Sequence, residues 1–193
     1  MRLFVLTRHG RSTLNDEGRV NGDPTVPAPL TEEGLEAAAR LGDQLAAMPL
    51  ELCVHTRFAR TLETAKAVLG SRDVPLLEEP LLDDIDIGEL EGVTVGDYRA
   101  WKRMHSRSDP FPGGESLDDA ARRYSRAFRT LLERPEQSIL VVCHEIPVRY
   151  GLNAAAGSPD LDAPAHDIPN ATAFLFDERA LASAAARIDE ITR

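Results

Sequence analysis

Several features that would signal a special class of protein are scarce or missing in this chain. Only two cysteines occur among 193 residues, Cys53 and Cys143, too few for the disulfide framework that staples small secreted domains. Each lies inside a short apolar run, Leu50 to Val54 and Ile139 to Cys143, so both are expected to be reduced, buried thiols, which suits a cytoplasmic protein. Long apolar stretches are missing too, and nothing approaches the ~20 residues of a membrane-spanning helix. The four apolar residues Leu3 to Leu6 are too few for a secretory leader, so no secretion is expected. Positive charge is in deficit: 22 Lys and Arg stand against 32 Asp and Glu, a formal net charge of −10. That balance argues against a partner such as nucleic acid or an anionic membrane, because their binders present broad basic surfaces. An anionic ligand must then be attracted locally. Internal repeats, low-complexity tracts and linkers are absent as well, and a single domain over 1–193 is expected.

What remains is ordinary globular material, 42% hydrophobic and 28% charged, arranged in alternating strand and helix patterns. Leu3-Phe4-Val5-Leu6 reads as a buried strand that ends in Thr7-Arg8-His9-Gly10. A turn-rich loop from Leu14 to Pro29 follows, then a helix capped by Thr31 and stopped by Pro49. Leu50 to Val54 is a second strand; Phe58, Leu62, Ala65 and Leu69 recur at helical spacing up to Gly70; and Val74 to Leu77 is a short third strand. Strand, helix, strand, helix, strand implies an α/β fold of three layers, α/β/α, with a mostly parallel, doubly wound sheet. Leu81 to Gly114 is irregular, with a lid-like excursion at about 93–115 facing the substrate. Ser116, answered by Asp119, starts a strongly striped helix that ends at Pro135. Ile139 to Cys143 is the most apolar strand and runs into His144-Glu145, with Pro147 in the first turn of a helix that ends near Gly157. Thr172 to Asp177 is a further strand. Leu181 to Ile191 is ambiguous between helix and edge strand.

In open α/β sheets functional groups gather just past strand carboxyl ends, and the polar groups this order places there are Arg8, His9, Arg60 and His144. Two guanidiniums and two imidazoles in one crevice suit a phosphate, since guanidinium binds phosphate oxygens bidentately and neutral imidazole is a nucleophile. His9 would carry the phosphoryl group while Arg8, Arg60, Asn15 and His144 stabilise charge on its oxygens. A carboxylic acid must protonate the leaving oxygen, and Asp84 and Glu145 are the candidates. Taken singly each residue has a plainer role: a structural histidine, a surface helix arginine, a solvated acidic turn at Asp83 to Asp86, a helix N-terminal glutamate at 145. A zinc site from Cys53, His55, Cys143 and His144 is disfavoured, because neighbours in a strand point to opposite faces.

Joined in order, these residues resemble the histidine phosphatase superfamily, branch 1, the phosphoglycerate mutase-like family. The resemblance rests on Thr7-Arg8-His9-Gly10 with Asn15, Pro29-Leu30-Thr31-Glu32-Glu33-Gly34, Thr56 to Ala65, Leu82 to Gly92, Pro112-Gly113-Gly114-Glu115-Ser116, Val142-Cys143-His144 and Pro169-Asn170-Ala171-Thr172. It implies a phosphohistidine on His9, a phosphate pocket of Arg8, Arg60 and His144 with Asn15 in contact, and no metal or organic cofactor. Two departures stand out. The family's acidic turn usually offers Glu where this chain has Asp84, and the residue after the second histidine, usually small, is Glu145, similar to the His-Asp pairing of the phytase-like branch. Asp84 is expected to be the proton donor, with Glu145 assisting or substituting.

The same resemblance separates phosphatases from glycolytic mutases, which carry a larger insertion before the Gly-Gly-Glu-Ser motif. Here Val93 to Phe111 is compact, favouring hydrolysis of a small phosphorylated substrate over mutase transfer. A non-catalytic phospho-ligand-binding regulator is the reading from another class. Lys102, Arg103, His105 and Arg107 are candidates to meet a second anionic group of the substrate, Arg103 and Arg107 above all, against the plainer role of a solvated helix face. A homodimer is left open.

Overall fold

The computed structural model describes residues 2–193. Five strands form one sheet: β1 (Leu3–Arg8), β2 (Leu52–His55), β3 (Leu76–Glu78), β4 (Ser138–Cys143) and β5 (Phe174–Asp177), in the spatial order β3-β2-β4-β1-β5. The first four run parallel and β5 lies antiparallel on the β1 edge. The helices are α1 (Thr13–Asp16), α2 (Glu32–Gln44), α3 (Ala59–Leu69), α4 (Val95–Met104), α5 (Leu117–Glu133), α6 (Glu145–Ala155) and α7 (Glu178–Ile191).

Strand side chains alternate faces, and the two cores divide accordingly. Val5, Cys53, Leu140 and Val142 pack with Ala38 and Leu41 of α2 and Ala65 and Val68 of α3. Phe4, Leu6, Leu52, Val54, Ile139 and Val141 face the other way, onto Tyr124 and Phe128 of α5, Val148 and Tyr150 of α6 and Ala184, Ala185 and Ile188 of α7. The result is the expected α/β/α sandwich. Cys53 and Cys143 are free and buried. Among the described residues no helix is long and apolar enough to cross a membrane.

Local details depart from the sequence reading in several places: α1 lies in the expected turn-rich loop, α2 ends at Gln44 rather than at Pro49, and β5 begins at Phe174 rather than Thr172. The third strand is Leu76–Glu78 rather than Val74 to Leu77; it is an edge strand, and edge pairing with β2 rather than hydrophobicity sets its limits. The tail is helix α7, whose N-cap Asp177 accepts from Ala180 N–H at 2.7 Å, so capping and alanine propensity decide the ambiguity. The irregular stretch contains α4, capped by Thr94 and held to the core by stacking of Trp101 on Phe111 at 4.2 Å between ring centroids.

Helix α2 meets the loop after β1 backbone to backbone. A Cβ on Gly34 would lie 2.1 Å from Arg11 O, and one on Gly10 would lie 2.6 Å from Gly34 O. Alanine ordinarily favours a helix interior over glycine by about 1 kcal/mol, yet Gly34→Ala is expected to destabilise the protein by about 1–3 kcal/mol, because the loop must move away. Urea denaturation checks this against Gly96→Ala in α4, where the nearest atom is Thr94 Oγ1 at an ordinary 3.5 Å and no loss is expected.

Candidate active site

Parallel pairing of β1 with β4 puts Arg8 opposite Cys143, so the residues that follow, His9 and His144, emerge side by side at the carboxyl edge. The chain leaves β1 towards α2 on one face and β4 towards α6 on the other, which makes this gap the switch point of the sheet. The backbone around His9 is held on several sides. His9 N donates to Cys143 O at 3.0 Å and Ala171 N to Arg8 O at 2.9 Å, Asn170 Nδ2 donates to His9 O at 2.7 Å, and Gly10 N donates to Thr64 Oγ1 at 2.8 Å. The two imidazoles lie edge to face, 5.4 Å apart.

Arg60, from the first turn of α3, occupies the space between them and is 4% exposed. Its Nε donates to His9 Nε2 at 3.0 Å, and one Nη approaches His144 Nδ1 and Asp84 Oδ2, both at 3.3 Å. Asn21 takes the rest, its side-chain oxygen accepting from Nη1 and its carbonyl from Nη2 at 3.1 Å. The Phe58 ring lies under the guanidinium at 4.2 Å and against His144 at 4.7 Å.

Hydrogen bonding fixes both imidazole tautomers. His9 Nδ1 lies 2.7 Å from Gly10 O; a carbonyl only accepts, so Nδ1 carries the proton and Nε2 presents a lone pair. For His144, the Thr61 hydroxyl donates to Phe58 O at 2.8 Å, so Thr56 donates to Thr61 Oγ1 at 2.9 Å and its own oxygen accepts from His144 Nε2 at 2.9 Å. His144 Nδ1 therefore holds the lone pair that meets Arg60. Burial, then Arg60, hold both histidines well below the ordinary imidazole range, so both are neutral. Burial moves Asp84 the other way, raising its carboxyl above the usual range against the pull of Arg60.

Arg8 donates from Nη1 to Ile168 O at 2.9 Å and pairs with Glu145 at 3.1 Å, while its Nε is buried without a partner. Glu145 is the first residue of α6, and its other oxygen pairs with Arg149 at 2.9 Å. Asn15 gives its amide oxygen to Ser12 N–H at 3.1 Å in the capping box of α1. Arg8, His9, Asn15, Arg60, Asp84 and Glu145 all line a cavity of about 410 Å³, a size that suits a small organic ligand. His144 lies fully buried behind Arg60. No three His, Cys, Asp or Glu side chains among the described residues form a group able to hold a metal.

The far wall of the cavity comes from α4, through Val95, Tyr98, Arg99 and Lys102, with Ile85 and Ile87 beside it. Positions 95, 98, 99 and 102 share one helical face. Arg103 falls off that face and is exposed, and Arg107 is paired with Asp118 and Asp162; neither lines the cavity. The corresponding cations are Arg99, Lys102 and Arg149. Of the contributors that sequence reasoning passed over, Thr56 sits in a quoted motif and Arg149 stands one helical turn from Glu145. Asn21, inside a turn-rich loop, carries no periodic signal.

The cavity thus offers a buried neutral imidazole lone pair, two guanidiniums and a carboxyl with raised pKa, with a second imidazole behind Arg60, the parts needed for phosphoryl transfer through nitrogen. A family model described as the histidine phosphatase superfamily (branch 1) matches residues 4–180. Over 165 residues the chain is 33% identical to 2,3-bisphosphoglycerate-dependent phosphoglycerate mutase 2 of Gloeobacter violaceus, which covers 77% of this chain and 73% of that protein. Among solved structures, Bacillus stearothermophilus YhfR matches with a TM-score of 0.80 at 28% identity, covering 91% of this chain and 90% of that one. The α-ribazole phosphatase from Shigella flexneri matches with a TM-score of 0.80 at 25% identity and the same coverage. Fold, site chemistry and a family match over most of the chain agree, and the chain belongs to the histidine phosphatase superfamily, branch 1.

Proposed function

We propose that this chain is a phosphomonoesterase that hydrolyses a small phosphorylated metabolite through a phosphohistidine on His9. The observation that carries the reading is the His9 Nε2 lone pair, fixed by the Nδ1 bond to Gly10 O and capped only by Arg60. An entering phosphate takes over the Arg60 N–H groups and the unpartnered Arg8 Nε, which frees that lone pair to attack phosphorus. The bond from phosphorus to the ester oxygen breaks, and that oxygen leaves with the proton of Asp84. Charge on the imidazole is shared with Gly10 O through Nδ1–H. A dianion beside His144 offsets the burial and the Arg60 charge that keep it neutral, so as the substrate binds Nδ1 takes up a proton from solvent, donates it in a hydrogen bond to a phosphate oxygen, and returns it to solvent when phosphate departs. In the second half, Asp84 accepts a proton from water as it attacks phosphorus, the P–N bond breaks, and phosphate departs.

Glu145, held between Arg8 and Arg149, orients Arg8 for the phosphate in this scheme, and Asp84 alone donates the proton. The compact segment from Val93 to Phe111 supports water as the acceptor. A second reading, transfer to another hydroxyl of the substrate, draws on the likeness to the Gloeobacter mutase. Mixing enzyme with a 32P-labelled phosphomonoester and quenching in alkali should retain label on the wild-type protein and none on His9→Ala. Inorganic phosphate as the sole labelled product, released with one equivalent of the alcohol, supports hydrolysis, whereas a labelled positional isomer of the substrate supports the mutase.

The pH dependence follows from the two shifts. His9 must be neutral, and its lowered pKa moves the acid limb of kcat/KM below the ordinary imidazole range. Asp84 must be protonated, and its raised pKa lets activity persist above the usual carboxyl range before falling as pH rises through it. Asp84→Asn is expected to lower kcat on an alkyl phosphate by about 100-fold or more and to remove the alkaline limb. It should largely spare kcat/KM for p-nitrophenyl phosphate, whose leaving group needs no proton, while kcat falls on both substrates because Asp84 is also the base of the second half. Equal losses in kcat/KM on both substrates would assign the proton elsewhere.

A further inference from the structure

Glu91 lies outside the cavity that His9 lines, yet three N–H groups of the loop after α1 converge on its carboxylate. Gly22 N donates to Oε2 at 2.7 Å and Asp23 N at 3.0 Å, while Asn21 Nδ2 donates to Oε1 at 2.8 Å. The second Asn21 amide proton goes to Asp23 O at 2.9 Å. Both protons of the amide are thereby spent away from Arg60, so the group has one orientation, with its oxygen facing the guanidinium. Flipped, it would set N–H against N–H. Asn21 then holds Arg60 at two points, side-chain oxygen to Nη1 and main-chain oxygen to Nη2, and the guanidinium plane that meets His9, His144 and Asp84 is set.

The scaffold under this relay is rigid. Val20 N donates to Val93 O at 3.0 Å, Gly92 N to Val20 O at 3.1 Å and Val95 N to Gly18 O at 2.9 Å, so the loop is zipped along the segment that carries Glu91. Gly22 lies so close to the acidic turn that a Cβ there would sit 2.1 Å from Ile85 O. Charge acts in the same direction as geometry: burial lowers the Arg60 pKa, and Asp84 and then Glu91 oppose that shift.

We infer that Glu91 is a positioning residue for phosphate binding, acting through the Asn21 amide to fix the orientation of the Arg60 guanidinium. A glutamine at 91 has the same shape but must turn its NH2 either towards Asn21 Nδ2 or towards the Gly22 and Asp23 N–H groups, and either orientation loosens the anchoring of Asn21. The inference rests on the reading of Arg60 as a phosphate ligand. It is tested by binding, so its failure is separate from failure of the hydrolytic reading: a wild-type protein that binds phosphate without turning over esters overturns only the latter.

Inorganic phosphate binding is measured by calorimetry for wild type, Glu91→Gln, Asn21→Ala and the double variant, with thermal melts to monitor folding. Each single variant should weaken binding about 10- to 100-fold, the scale of a misplaced binding group. Because both act on one relay, the double variant should bind about as weakly as the weaker single. Losses that multiply in the double variant, as independent damage to the fold would give, overturn the proposal, and so does wild-type binding by Glu91→Gln. Should Glu91→Gln not fold, Glu91→Asp replaces it in the same cycle, keeping the charge while withdrawing the carboxylate by one methylene.

Discussion

One buried cation organises the site. The guanidinium of Arg60 is taken out of water, and its charge is matched not by one tight ion pair but by a set of acceptors that surround it: a His9 lone pair, a His144 lone pair, the Asp84 carboxyl and two oxygens of Asn21. Leaving such a charge uncompensated costs several kcal/mol, so the surroundings are arranged to accept. Burial first and then the same cation keep both imidazoles neutral, while at Asp84 the cation opposes the burial that raises its carboxyl. In the proposed reaction a phosphate dianion replaces the imidazole lone pairs as the acceptor of Arg60.

What makes that arrangement available is register. Parallel β1 and β4 bring Arg8 level with Cys143, and a slip of one residue would turn His9 and His144 to opposite faces of the sheet. The fully buried strands, with their alternate side chains committed to two different cores, make such a slip prohibitively costly. Packing around Phe4, Leu6, Ile139 and Val141 is thus part of what holds two imidazoles 5.4 Å apart.

Legibility in the sequence follows the same division. The strands β1, β2 and β4 are apolar runs ended by polar residues, and strand-end logic locates Arg8, His9 and His144 before any coordinates. Arg60 falls in the first turn of a helix that the periodicity of Phe58, Leu62, Ala65 and Leu69 defines. The edge elements were harder to place, because β3 owes its limits to pairing with β2 and α7 to a cap at Asp177. Asn21 and Glu91 stand 70 residues apart and meet only because a loop is zipped onto the acidic turn, a convergence that leaves no period in the chain. Arg103 and Arg107 illustrate the converse: residue type suggested Lys102, Arg103, His105 and Arg107, and of these the cavity face of α4 holds Lys102 alone, with Arg99 beside it.

The contact of Gly10 with Gly34 has a consequence for how this site can change. Main chain touches main chain there, with no side chain on either partner to exchange for a slightly different one. The nucleophile's loop accordingly has no adjustable spacer on the α2 side, and substitution offers no gradual way to retune it. The opposite wall is built the other way, from the side chains of Val95, Tyr98, Arg99 and Lys102 on a helix at the protein surface, each exchangeable without moving the backbone under His9. In the proposed reaction, chemistry and selectivity therefore fall to separable halves of one cavity, and a different leaving group would be met by side chains of α4 with the backbone under His9 unchanged.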